Sequence, residues 1–291
     1  MSAAKSLLIE LGSEELPPKA LDELAEAFRA GIVAGLEKRG IDADLAHARA
    51  YCTPRRLAVL VPAVAAAQPE QHIERRGPAV AAGTGADGQP SKALLGFAHS
   101  CRVEVSALER LETDKGAWYV HRAVQPGQPL ASVLPGIVEE ALKALPVPRP
   151  MRWADHDYSF VRPVHWLVML HGADIIDGTV LGLASGRKSS GHRFMHPQPV
   201  HLADADGWLD AMRAAKVLAD PAERRARIRA EVARVAGATG GTPRLDAGLL
   251  DELANLVEWP AAIACTFERA FLEVPAEALV TTMVQNQKFI P

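Results

Sequence analysis

Apolar residues recur along the chain in patterns that predict most of its elements. Ser6–Leu11 (SLLIEL) is a short apolar run closed by Gly12-Ser13, the pattern of a buried strand followed by a turn. Leu21, Leu24, Phe28, Ile32 and Leu36 then recur at three- and four-residue spacing, which predicts a helix from about Pro18 to Arg39 with one apolar face. Lys38 and Arg39 suit the negative end of the helix dipole, and Gly40 is a suitable stop. Two strands are predicted next, Ala48–Thr53 and Arg56–Val64, around a Thr53-Pro54-Arg55 corner. Pro62 places the second strand at a sheet edge or bends it.

Gln68–Gln89 is polar and rich in Gly, Pro and Ala, and reads as a long surface loop. A helix starts near Ser91. Leu108–Thr113 and Ala117–Val124 flank Asp114-Lys115-Gly116, a hairpin signature in which glycine supplies the positive φ of the turn. Leu130–Ala144 reads as a helix with Val133, Ile137, Val138 and Leu142 on one side. The alternate prolines of Leu145–Pro150 forbid helix and mark a linker.

Beyond the linker, Phe160–Leu170 and Ile175–Leu183 read as strands joined through His171-Gly172-Ala173-Asp174, and Ser185–Pro199 as a polar, basic loop. The pattern turns helical from Asp204. Asp220-Pro221-Ala222-Glu223 is a strong helix start, with Asp as cap, Pro in the first turn and Glu three residues on. That helix is expected to reach about Ala236. Further helices are predicted at Ala247–Asn255 and Pro275–Lys288, with a strand near Ala261–Phe267. The fold class is α+β, with mixed sheets, packed helices and a more helical C-terminal part. Two domains are expected, residues 1–147 and 151–291, the second truncated at its end.

Composition narrows the function classes. A formal charge of −3 means that net charge does not draw the molecule to nucleic acid, so any RNA contact must come from local basic patches. Cys52, Cys101 and Cys265 are odd in number and far apart, which suggests neither a disulfide framework nor a zinc site. The opening residues resemble no signal peptide, and no stretch approaches the ~20 apolar residues of a membrane span. The expected location is the cytoplasm.

The chemical signals are mostly weak. Glu14-Glu15 could hold a cation, but acids just ahead of a helix also stabilise its first turn. His156-Asp157 spells a dipeptide of metal-dependent phosphohydrolases, without the helices or partner ligands that chemistry needs. His192 and His196 are four apart, yet Gly191 and Pro197 bracket them and argue against a helical ligand pair. No nucleophile elbow or phosphate loop is present. The basic clusters are more suggestive. Arg187-Lys188 lead through hydroxyls and glycine to His192, Arg193 and Phe194, a mixture suited to phosphate contact and base stacking. Arg55-Arg56 are second candidates. Arg75-Arg76 form another pair, and Arg224, Arg225, Arg227, Arg229 and Arg234 read as a solvated helix face. No catalytic residue and no metal site is assigned.

Several segments in order resemble one family: LLIELGSEELPPKAL, TPRRLAV, IERRGPAV, LETDKGAW, the run from MRW through FVRPVHWLVMLHG, GHRFMHP, LVEWP and FLEVPAEALVTTM. They span residues 7–285 and are similar to bacterial glycyl-tRNA synthetase β subunits. The resemblance implies an α2β2 enzyme that attaches glycine to its tRNA. Its α subunit would hold the class II site for glycine, ATP and magnesium, and this chain would carry no cofactor. The β subunit would contribute tRNA binding and assembly, with no membrane or DNA partner. It also implies that family chains continue well beyond Pro291 to an anticodon-binding region, so that this chain is expected to be a fragment. Two other roles stay open: an editing-like hydrolase acting on mischarged tRNA, and a pure docking scaffold.

Overall fold

The computed structural model of the chain describes residues 4–85, 89–114, 116–147 and 149–291. Lys115 of the hairpin turn, Pro148 of the proline-rich segment and Ala86–Gly88 of the polar stretch lie outside the described residues. The strands are β1 (Lys5–Ser13), β2 (Arg49–Thr53), β3 (Arg56–Val64), β4 (Gln71–Ala79), β5 (Glu109–Thr113), β6 (Gly116–Gln125), β7 (Val164–His171), β8 (Asp174–Ile175), β9 (Thr179–Val180), β10 (Leu183–Gly186), β11 (Lys188–Ser190) and β12 (Pro199–His201). The helices are α1 (Leu21–Lys38), α2 (Lys92–Cys101), α3 (Leu130–Lys143), α4 (Trp208–Ala214), α5 (Pro221–Thr239), α6 (Ala247–Ala254) and α7 (Ala276–Thr281). The class is α+β, as the periodicities indicate.

The chain forms two compact units, one of residues 1–66 with 130–291 and one of residues 67–129. The sequence places its boundary at Leu145–Pro150 instead. That segment runs inside the larger unit, because β1 before it pairs with β7 after it from Leu7↔His171 to Ser13↔Val164. Proline forbids helix locally but says nothing about which strands meet across it.

In the larger unit the sheet order is β2-β3-β1-β7-β10-β9, with β8 also paired to β7. Neighbours are antiparallel except β7 and β10. Alternation along β1 sends Leu7, Ile9 and Leu11 into a core with Phe28 and Ile32 of α1 and Ile137 of α3. Leu8 points the other way, into a second core with Tyr51, Ala58, Val168 and Trp208. A strand buried on both faces reads as a continuous apolar run. Helices α1 and α3 approach closely because Gly31 and Gly35 lack side chains. A Cβ at Gly35 would lie 2.4 Å from Ile137 Cγ2, and one at Gly31 2.8 Å from Ala141 Cβ. Both caps read from sequence are present: Asp220 accepts from Ala222 N–H at 2.8 Å, and Gly40 has φ +62° after α1.

Strand β3 is interior, between β2 and β1, so Pro62 marks a bend rather than an edge. Ala63 takes φ +50°, and the register with β1 shifts between Lys5 and Leu7. Strand β2 ends its pairing at Leu60, so the missing N–H of Pro62 interrupts no ladder there. The predicted Ile175–Leu183 strand is broken into β8, β9 and the start of β10, with Leu181 and Gly182 both at positive φ. The Ser185–Pro199 loop holds β11, paired with β12. Ala261–Phe267 has no strand partner and no regular structure. The helix expected at Pro275–Lys288 is α7 followed by one wider turn over Thr282–Asn286.

In the smaller unit β4-β6-β5 form an antiparallel sheet covered by α2, with Leu94, Ala98, Leu108 and Tyr119 buried. Ser91 caps α2 by accepting from Leu94 N–H at 3.2 Å. The expected loop at Gln68–Gln89 is here a strand, β4, paired from Gln71↔Gln125 to Arg76↔Val120. Five of its nine residues are polar and this sheet buries little, so period-two alternation never becomes visible.

The three cysteines differ sharply in environment. Cys52 is buried, Cys101 half-buried and Cys265 exposed. Burial pushes the Cys52 thiol up to about 11, and only the thiolate is nucleophilic. Timed labelling with a thiol reagent at neutral pH is expected to modify Cys265 first and Cys52 only on unfolding. Early labelling of Cys52 would contradict its burial.

Candidate functional site

The best-organised polar cluster lies in the larger unit and starts from one acid. Glu10 sits opposite Ala58 on β1, on the face that buries Trp208, and is 0% exposed. An isolated buried carboxylate is very costly unless donors surround it. Four side chains supply them: Arg56 Nη1 at 2.9 Å, Trp166 Nε1 at 2.9 Å, Ser189 Oγ at 2.6 Å and Trp208 Nε1 at 2.7 Å. Arg56 reaches Glu10 as its diagonal neighbour on β3, since Arg56 pairs with Gly12. Gly12 keeps the way open for Trp166, whose ring would lie 1.9 Å from a Cβ there.

Arg56 extends the network toward a cleft. Its Nη2 donates to Ser190 O at 2.7 Å and lies 3.4 Å from Glu258 Oε1. Thr53 Oγ1 donates to the same Glu258 oxygen at 2.7 Å. The cleft, about 220 Å³, is lined by Glu15, Pro54, Arg55, His192, Arg193, Phe194 and the run Leu256, Val257, Glu258 and Trp259. Glu258 is 7% exposed, whereas Phe194 is 81% exposed. The turn after β1 is fastened to the corner after β2 by Ser13 N–H to Arg55 O and Leu16 N–H to Pro54 O.

The rim is cross-linked by polar side chains. Arg193 Nη2 contacts Glu14 Oε2 at 3.2 Å and Glu15 Oε1 at 2.8 Å, while His165 Nε2 lies 2.8 Å from Glu14 Oε1. The hydrogen bond from His165 holds the Glu14 carboxyl below its ordinary range against partial burial, and Arg55 and Arg193 add to the effect. The first-turn acids of α1 are Asp22 and Glu23, so Glu14 and Glu15 bind side chains rather than support that helix.

The likeness to known proteins runs over nearly the whole chain. A family model described as glycyl-tRNA synthetase beta subunit matches residues 7–291. The chain belongs to that family. A glycine–tRNA ligase beta subunit of Xylella fastidiosa strain 9a5c is 52% identical over 291 residues, all of this chain and 40% of the relative. The corresponding protein of Xanthomonas campestris pv. campestris strain B100 is 51% identical over the whole chain and 42% of its own length. That of Chromohalobacter salexigens is 52% identical over 99% of the chain and 41% of the relative. The chain thus spans about two fifths of the length of these beta subunits.

Within this family member, the seven basic and aromatic residues singled out from sequence separate. Arg55, His192, Arg193 and Phe194 meet in the cleft. Arg56 does not belong with them as an RNA contact. It is 1% exposed and bound to Glu10, because its strand position faces the core. Arg187 is partly covered and donates to the carbonyls of Leu202, Ala203 and Ala173. Lys188 is exposed, with no described ion partner for its ammonium. His192 organises its own turn, its Nδ1 accepting from the Phe194 and Met195 N–H groups at 3.2 Å each.

The remaining motifs fall elsewhere. His156 stacks on Tyr158 with ring centroids 4.6 Å apart. No three His, Cys, Asp or Glu side chains among the described residues form a group that could hold a metal ion. No described helix is long and apolar enough to cross a membrane. The α5 arginines are more than a solvated face: Arg224 is buried, Arg225 pairs with Asp22 and Asp251, and Arg227 lies 4.2 Å from the Trp259 ring centroid. Sequence reasoning missed Glu10, Trp166, Trp208 and Glu258. An acid inside the SLLIEL run was the available signal for the first.

Proposed function

We propose that the chain serves glycine–tRNA ligase, in the cytoplasm, as a tRNA-binding and assembly part of its β subunit. Aminoacylation, with its ATP and magnesium, belongs to a partner α subunit in an α2β2 enzyme. The observation that carries this reading is the family match over residues 7–291. The exposed Lys188, the cleft-lining Arg55 and the exposed Phe194 support an RNA contact. The cations that the fold has already engaged, Arg56 and Arg187, are not available for it.

Filter binding of glycine tRNA to the chain at two salt concentrations tests this proposal. Affinity is expected to fall with salt, because cations that meet phosphate release condensed counterions. Replacing Lys188 with alanine should weaken binding and flatten the salt slope by about one unit, as for one phosphate no longer neutralised, and replacing Arg55 with alanine should weaken binding. A Lys188–Arg55 double variant that binds like the parent would rule out these two residues.

A further inference from the structure

We infer that the Glu258 cleft takes an unpaired guanine of an RNA strand, held through its base edge rather than through phosphate. This rests on the RNA-binding reading and adds a ligand to it. Glu258 is nine-tenths buried and fixed at one oxygen. Oε1 accepts from Thr53 and faces Arg56, and the Glu258 carbonyl accepts from Leu218 N–H at 2.9 Å. No described residue donates to Oε2. Arg55 lines the same cleft, and its guanidinium has no ion-pair partner among the described residues. A cleft that offers one unused carboxylate oxygen and one unpaired guanidinium suits a ligand presenting both a donor and an acceptor.

The charges decide against phosphate. Glu15 and Glu258 line the cleft with Glu14 beside it, against Arg55 and Arg193, and Arg193 is already tied to Glu14 and Glu15. An anion would meet more carboxylate than free cation. A neutral, donor-bearing group would not be repelled.

Among the bases, guanine fits this inventory. Its Watson–Crick edge carries two adjacent N–H donors that can converge on the free Oε2 of Glu258, and its O6 and N7 accept from a guanidinium. Adenine and cytosine place a ring-nitrogen lone pair beside their single amino group, and uracil flanks its N–H with two carbonyls. In each case part of the edge repels an acid. Base pairing occupies the same edge, so the guanine must be unpaired. The exposed Phe194 ring offers a stacking surface at the mouth, and Leu256 and Val257 give the cleft an apolar wall. The volume of about 220 Å³ suits one base.

Fluorescence anisotropy with short oligouridylates carrying one central G, A, C or U tests the inference. The G oligomer is expected to bind ~10-fold more tightly than the other three, the size of one good base-edge pairing. Phe194→Ala, a change at an exposed side chain, should weaken the G oligomer ~10-fold. Glu258→Gln should erase the preference for G. Equal affinity for all four, or a Phe194→Ala variant that binds the G oligomer like the parent, overturns the inference. If glycine tRNA still binds with salt dependence in that event, the RNA-binding reading survives alone. If tRNA does not bind either, both fall. Loss of α-subunit binding by Phe194→Ala, with oligomer binding untouched, would make the cleft a protein-docking surface and equally overturn the inference.

Discussion

Arg56→Met is expected to lower the unfolding free energy by about 3–5 kcal/mol, because it strips the guanidinium from a fully buried carboxylate. Glu10 would keep Trp166, Trp208 and Ser189 as donors, but these are neutral and cannot replace the guanidinium charge. Glu258 would lose its near neighbour as well. Urea unfolding followed by tryptophan fluorescence measures the loss. The double variant Glu10→Gln with Arg56→Met should recover part of it, since it removes the fully buried acid together with its cation and leaves only Glu258 without that neighbour. A single variant as stable as the parent would show that the buried Arg56–Glu10 pair carries no weight in folding. The same change tests the sequence-based reading of Arg56 directly: an RNA-facing arginine would lose binding and keep stability, and the opposite is expected.

Arg224→Ala is expected to have a comparable effect without any ion pair being broken. Arg224 is 0% exposed, and its nearest partners are carbonyls. Nε donates to Ala254 O, and Nη1 to Cys52 O and Leu218 O, each at 2.7 Å. One side chain thus joins α5 to the end of β2, to the segment before α5 and to α6. Truncation leaves three buried acceptors unpaired, each costing about 1–3 kcal/mol when water cannot reach it. The neighbouring Arg225→Ala is the control. Its pairs with Asp22 and Asp251 involve half-exposed acids, and a loss of about 1 kcal/mol or less is expected. Thermal unfolding of both variants separates the two environments. Equal losses would mean that the carbonyl contacts of Arg224 carry no special weight.

These two arginines also show where reading the sequence stops. Strong periodicity identified β1, α1 and α3, and chemical capping signals identified the start of α5, because each is decided by residues close together in the chain. Strand β4 was missed since its pattern is polar and its identity comes from β6, which lies some fifty residues away. The cleft was half visible. The His192–Phe194 segment and Arg55 were found by residue type, whereas Glu258 and Trp166 acquire their places only through the β1–β7 pairing and the return of the chain after α6. Residue type alone could not tell Arg55 from Arg56. Strand alternation could have done so: Arg56 shares a face with Ala58, a buried residue opposite Glu10.

The second compact unit has a consequence for how the chain can be edited. It leaves the first after Ala66 and returns at Leu130, where Leu130 N–H donates to Ala66 O at 2.8 Å. The exit and re-entry points are therefore hydrogen-bonded neighbours. Residues 67–129 form a cassette on a closed doorway, and a tight turn of a few residues could bridge Ala66 to Leu130 while β3 and α3 keep their connection. Length and sequence can vary inside that cassette with little demand on the sheet that carries Glu10 and Arg56.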